Sequence, residues 1–372
     1  MIVDKLDGLK KKFHFFEDFW QGDGPFPILF TRPHLAKGKT YIKYNLVEQH
    51  EDVEKLLAES LIEVEPHMDL IDDGIPVVRS DLGTTLLPSG LGIEIVVQPD
   101  LHPWIKNHLS AEEFLDMKEQ ITRKDINNNE VLAAKEFYTL FQKRQRKNLI
   151  NPEIYPYVPD TQGIFDLSHI LIGTDIFIML SDRAGQVHQI QHKSLELFLS
   201  ATCLFKELLG ESPGSMVHGH GMPAGVWFPD TGARISEDSC TLISEEMIRE
   251  FCLPYIIKAI KPFNRGFMHY CGKHDTFLKM ICELREISTL NLGNPEAYDL
   301  DELFSILGRT GTVYFGALAM EENEDGHGYL ERMAYYCRKY SVKLILVSDY
   351  CPKSPTEKKN LVRLWHRLTK GV

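Results

Sequence analysis

The chain has 372 residues, 43% of them hydrophobic and 25% charged, with 53 acidic against 41 basic side chains. That is enough apolar length for a large core, and an α/β barrel of this size commonly forms one domain. The formal charge of -12 offers no basic footprint, which excludes nucleic acid and an anionic membrane surface as main partners.

No run is long enough to span a bilayer, and Met1-Ile2-Val3-Asp4-Lys5-Leu6 has no apolar signal core, so a soluble cytoplasmic protein is expected. The cysteines, Cys203, Cys240, Cys252, Cys271, Cys282, Cys337 and Cys351, are odd in number and confined to the C-terminal half. In a chain this large they read as core thiols or metal ligands rather than a disulfide framework.

Residues 1–70 read as a helical lead-in packed on the rest. Aromatics are frequent there (Phe13, Phe15, Phe16, Phe19, Trp20), Pro25, Pro27 and Pro33 cut it into pieces, and 46–61 carries apolar residues at helical spacing. Ile75 to Asp81 is the first strand, and Gly92 to Val97 alternates up to Pro99 like the arm of a hairpin. Ser110 to Arg146 is helical, with a break at Asn127-Asn128-Asn129. Gly163 to Leu167 reads as a strand and Asp182 to Leu209 as a long helix, where His188 and His192, four apart, are taken as a helix flank.

Ser215 to His218 is a short strand that opens a glycine-rich loop ending at Trp227, and Ala233 to Asp238 is another. Ser244 N-caps a helix that Pro254 should kink. From Phe267 on, strand and helix alternate regularly. Capping boxes start the later helices: Asp299 with Glu302, and Ser354 with Pro355 and Glu357. Eight strand starts, near Val77, Phe165, Met216, Ile235, Phe267, Leu290, Val313 and Leu344, predict a single (β/α)8 TIM-type barrel over 71–372 with an N-terminal helical extension. A doubly wound sheet would need a phosphate-binding glycine turn after its first strand, and Asp81-Leu82-Gly83-Thr84 is not one.

Barrel chemistry sits at the C-terminal ends of the strands. His269 and Cys271, two apart on one strand, point to the same side, and imidazole and thiolate are the side chains zinc prefers. Cys351, just past the last strand and three residues before the N-cap Ser354, is the third candidate ligand. Three protein ligands and an open position make a catalytic zinc site, whose alternative is a set of buried thiols and a core histidine. Asp238 and Glu237 are candidates for proton transfer or for orienting a ligand, with helix capping as the alternative. His218, His220, Trp227, Asn291 and Arg79, at strand ends or in the glycine loop, are candidate substrate-binding residues.

Three stretches carry a family resemblance: Leu242-Ile243-Ser244-Glu245-Glu246-Met247 with Phe251-Cys252-Leu253-Pro254-Tyr255, then His269-Tyr270-Cys271-Gly272-Lys273, then Asn291-Leu292-Gly293. Together they resemble the uroporphyrinogen decarboxylase superfamily, and the His-x-Cys pair with a distant cysteine resembles its methylcobamide:thiol (coenzyme M-type) methyltransferase branch. The resemblance runs from about residue 161 to the end. It implies one α/β barrel and zinc on His269, Cys271 and Cys351. It also implies a corrinoid methyl donor on a partner protein and a small thiol acceptor. The stretch from Cys351 to Asn360 is a compressed, partly reordered form of the family's Cys-Gly-x-Pro ending.

The decarboxylases' arginine-rich opening segment has no match at Thr31-Arg32-Pro33-His34, which argues against porphyrinogen decarboxylation. The alternatives are a metal-free decarboxylase, a pterin-dependent methyltransferase, or a non-catalytic corrinoid- or tetrapyrrole-binding component. A homodimer would suit a barrel.

Overall fold

The computed structural model describes residues 7–30 and 43–372; Pro33 and the Thr31–His34 segment lie outside them. The central feature is a six-stranded parallel sheet in the order β1-β12-β11-β10-β9-β8. Its strands are β1 (Ile28–Phe30), β8 (Ala233–Ser236), β9 (Gly266–Tyr270), β10 (Ile287–Leu292), β11 (Val313–Ala317) and β12 (Leu344–Ser348). A four-stranded mixed sheet, in the order β5-β2-β7-β6, is built from β2 (Ile75–Val78), β5 (Tyr155–Pro156), β6 (Met216–His218) and β7 (Ala224–Phe228). β3 (Ile95–Gln98) and β4 (Leu101–Ile105) form a separate antiparallel hairpin, as the alternation ending at Pro99 implied.

The two larger sheets share one interior. Phe228 of β7 lies 5.9 Å from Phe267 of β9 and 6.2 Å from Phe315 of β11, ring centre to ring centre. The hydrogen-bond ladders thus draw a mixed α/β fold with a long parallel sheet, and they do not join eight strands into one ring. Two strand assignments account for much of the difference. The segment read as a strand at Gly163–Leu167 is the start of a helix, Ile164–Ile172, buried on nearly every side. Its five residues Gly163–Leu167 are too short a window to show a helical period, and the β-branched Ile164 followed by Phe165 imitates a buried strand. Within the lead-in, Ile28–Phe30 is a fully buried strand on the edge of β12.

The C-terminal half follows the local rules. The side chains of Ser244, Asp299 and Ser354 accept the backbone N–H groups of Met247, Glu302 and Glu357, so all three predicted N-caps are in place. The kink expected from Pro254 is a π-turn just ahead of it: Leu253 N–H reaches Ile248 O, and Pro254 sits in the first turn of the next helix. His188 and His192 pack on Tyr255, and the His188 Nδ1 is 2.9 Å from the Tyr255 hydroxyl. Among the described residues no single helix is long and apolar enough to cross a membrane.

Candidate metal centre

Register decides what meets at the strand ends. In the parallel ladders Ser236 of β8 and Asn291 of β10 both lie opposite His269 of β9. The residues that follow β8, Glu237 and Asp238, therefore come level with Tyr270 and Cys271. Glu237 N–H donates to His269 O at 3.0 Å, which continues the ladder one step past β8.

Asp238, His269 and Cys271 each bring one ligand atom to a common point, all three within 4.8 Å of one another. Cys271 Sγ is 3.5 Å and Asp238 Oδ1 3.8 Å from His269 Nε2. The Cys271 N–H donates to Asp238 Oδ1 at 2.6 Å, which anchors the carboxylate beside the thiol. A side chain at Gly293 would run into Cys271 Sγ, so a glycine is needed there to leave the thiol its place.

The tautomer of His269 follows from its neighbour. Asn291 Nδ2 donates to Phe315 O at 2.6 Å, so its Oδ1 must face His269 Nδ1, also at 2.6 Å. Nδ1 therefore carries the proton, and the Nε2 lone pair is directed at Cys271 and Asp238. A ligand histidine oriented by an amide or carboxylate oxygen behind it is the usual arrangement at metal sites. Asn291 was expected at the substrate; it is buried and spends both amide groups on this role. Asn291→Ala should weaken metal affinity about 10- to 100-fold while the chain stays folded, as checked by competition with a chelator.

The donor set suits zinc. Nitrogen, sulfur and carboxylate oxygen are all zinc ligands, and three of them leave one position open. With no cation the Cys271 thiol is pushed up to about 11, by burial first and the Asp238 charge second, and burial then Arg234 lower His269. A divalent ion would reverse the first effect, because a coordinated thiol is deprotonated.

Glu237, offered as a catalytic residue, is instead a fully buried clamp. Its carboxyl accepts the N–H groups of Ile164 (2.7 Å), Phe165 (3.1 Å) and Asp166 (3.1 Å) at the start of the Ile164–Ile172 helix. Asp166 answers by accepting from Asp238 N (2.9 Å) and Ser239 N (2.8 Å). Gly163 is required at this crossing, since a Cβ there would overlap Ser236 O and the Glu237 carboxyl. Burial raises both carboxyls against the pull of those N–H groups, with Asp166 the second cause for Glu237; Asp166 is pushed up to about 7, by burial first and Asp238 second.

Asp166 becomes a site residue only because its segment is a helix and not the strand expected at Gly163–Leu167. The glycine and the acidic residue near the start of the helix were the available signal. Asp166, Asp238 and Cys271 line one cavity of about 360 Å³, whose walls include Trp104, Ile170 and Leu242.

The remaining predicted residues are not among the three donors. Cys351 is exposed, past the end of β12, with its Sγ 4.0 Å from Pro352 O, and it does not belong to the three-donor group. β12 is three strands from β9 in the sheet. Arg79 is held by Asp81 at 2.9 Å. Trp227 packs edge-on against Phe13 at 5.2 Å, on the outer side of β7 from Phe228.

His218 and His220 form part of the interior aromatic cluster, and His220 lies 4.2 Å from the His269 ring. Burial, as the leading cause, lowers both well below 6.5. A depressed base contributes stability that is present above the unfolded pKa and lost as pH falls through the folded one. The contribution of these two histidines to the unfolding free energy of the metal-free chain should therefore fall below about pH 6.5, by up to about 2.7 kcal/mol per pH unit for two protons, against the opposite slope of the raised Asp166 and Glu237 carboxyls. Denaturant titrations across that range check this, and His218→Asn should reduce the slope.

No protein-family model matches the chain, and no curated protein does. Solved structures do match in shape. One is a methyltransferase from Methanosarcina mazei, 13% identical, with a TM-score of 0.64, covering 96% of this chain and 98% of that one. At that identity the likeness establishes a shared fold over nearly the whole length.

Proposed function

We propose that the chain is a single (β/α)8-type barrel of the uroporphyrinogen decarboxylase class that acts as a zinc-dependent methyltransferase. It would take a methyl group from a corrinoid carried by a separate protein and give it to a small thiol. The observation that carries this reading is the convergence of Asp238, His269 and Cys271, of which Asp238 and Cys271 line a cavity large enough for a small molecule. Zinc bound there supplies a lowered thiol pKa, so that the acceptor reacts as thiolate at neutral pH.

The chain's own residues do the rest. Asn291 holds His269 with Nε2 forward, Asp238 is held by Cys271 N–H, and Asp166, a carboxyl raised by burial on the same cavity wall, would take the acceptor's proton. Transfer would break the donor's cobalt–carbon bond, leave its electron pair on the corrinoid and form a sulfur–carbon bond on the acceptor. A metal-free decarboxylation of polycarboxylates is less well supported, since the described lining of this cavity presents carboxylates where that substrate would need cations.

The third ligand separates two versions of the site. Zinc analysis of purified variants is expected to give about one ion per chain in the wild type and in Cys351→Ala, and well under half in Asp238→Ala. The opposite pattern, with Cys351→Ala losing the ion and Asp238→Ala keeping it, would mean that the Cys351 loop supplies the third ligand. Loss in neither, with His269→Ala also unchanged, would refute a metal centre here.

A further inference from the structure

Resting on the metal-centre reading, we infer that His220 is a positioning residue for the ion. Its imidazole is a wedge against the face of the His269 ring, and its nitrogens bind neither metal nor substrate. The segment His218-Gly219-His220-Gly221-Met222 leaves β6 through a tight turn. Met222 N–H donates to Gly219 O at 2.9 Å, and both central residues have positive φ, +48° at His220 and +78° at Gly221. A turn of that kind asks for Asn, Asp or Gly at its centre. Gly221 meets the demand and His220 does not, so the turn carries a ring that its backbone disfavours. Such a conformation persists where the surroundings hold it.

The surroundings are the inner face of β9. Phe267 and His269, two apart on that strand, point to the same side. The His220 ring meets both, 5.4 Å from Phe267 at 85° and 4.2 Å from His269 at 49° between ring planes. The turn itself is pinned on two sides. Gly221 N–H donates to the buried Tyr157 hydroxyl at 3.1 Å, and Val77 N–H donates to Pro223 O at 3.0 Å.

His220 is not one of the three donors. Asn291 fixes the tautomer of His269 through one hydrogen bond at Nδ1, and one bond still lets the ring tilt about it. A second ring packed on its face removes that tilt. Nε2 then stays directed at Cys271 and Asp238 before an ion arrives, and less ordering cost is left to the binding step.

His220→Asn and His220→Phe divide the turn from the wedge. Asparagine suits the turn and has no ring, so that variant should fold and yet bind zinc about tenfold more weakly, as read by competition with a chelator. Phenylalanine keeps a ring and lacks both nitrogens, so its zinc affinity should stay within about threefold of the wild type. The inference is overturned if His220→Asn binds zinc as tightly as the wild type, which would leave the ring a packing role only. It is overturned equally if His220→Phe loses as much affinity as His220→Asn, since the role would then belong to a ring nitrogen. A wild type that binds no zinc would overturn the metal-centre reading as well, whereas either of the first two results with zinc present in the wild type refutes the positioning role alone.

Discussion

Cys271→Ala should remove bound zinc and lower methyl transfer by about a thousandfold or more, in a chain that still folds. Cys271 is exposed at the end of β9, so its loss opens no core cavity. What it removes is the sulfur 3.5 Å from His269 Nε2, and with it the softest of three donors for zinc. Two remaining ligands, a histidine and a carboxylate, form an incomplete site. The activation a metal provides is worth several kcal/mol, and each ~1.4 kcal/mol is a factor of ten in rate. Circular dichroism should be unchanged within error. Cys271→Ser should recover little, because an alkoxide is a far harder group to form than a thiolate. Retention of both zinc and activity in Cys271→Ala would remove the thiol from the account.

Glu237→Ala should give the largest loss of stability among single changes near the site, about 3–5 kcal/mol. The side chain is fully buried and accepts three consecutive N–H groups at the head of the Ile164–Ile172 helix. Those donors have no partner within the helix, and each one left bare in the interior costs about 1–3 kcal/mol. In a chain of this size that is a fall in Tm of roughly 5 °C. Function should suffer as well, since Glu237 adjoins Asp238, and Asp166, which binds Asp238 N, would lose its counterpart. Glu237→Gln keeps one acceptor oxygen but turns an amide N–H toward backbone donors, so it should recover less than half of the loss. Thermal melts of the metal-free proteins check this, and equal Tm values for all three would show the clamp to be idle.

These two residues also show what the sequence could and could not disclose. His269 and Cys271 were legible because a strand has a period of two, and their common side needs no tertiary information. The caps at Ser244, Asp299 and Ser354 were legible for the same reason: each is set within four residues of chain. Asp238 was marked as a strand-end residue, but its place beside Cys271 depends on the register of β8 against β9, which only the folded sheet contains. Glu237 and Asp166 are separated by about seventy residues, and their meeting depends on how the buried Ile164–Ile172 helix docks against the end of β8. Cys351 lay at a plausible position after the last strand. The direction of a loop beyond a strand is set by its own turns, and a string of residues does not record it.

The most direct test is an anomalous difference map from a crystal of the full chain grown with zinc, recorded at the zinc absorption edge. One peak is expected, about 2.3 Å from Cys271 Sγ and about 2.0–2.1 Å from His269 Nε2, with an Asp238 oxygen completing the protein ligands and the fourth side open to the cavity. A map with no peak between those atoms, or an ion bonded to other residues while His269 and Cys271 stay bare, would contradict the account.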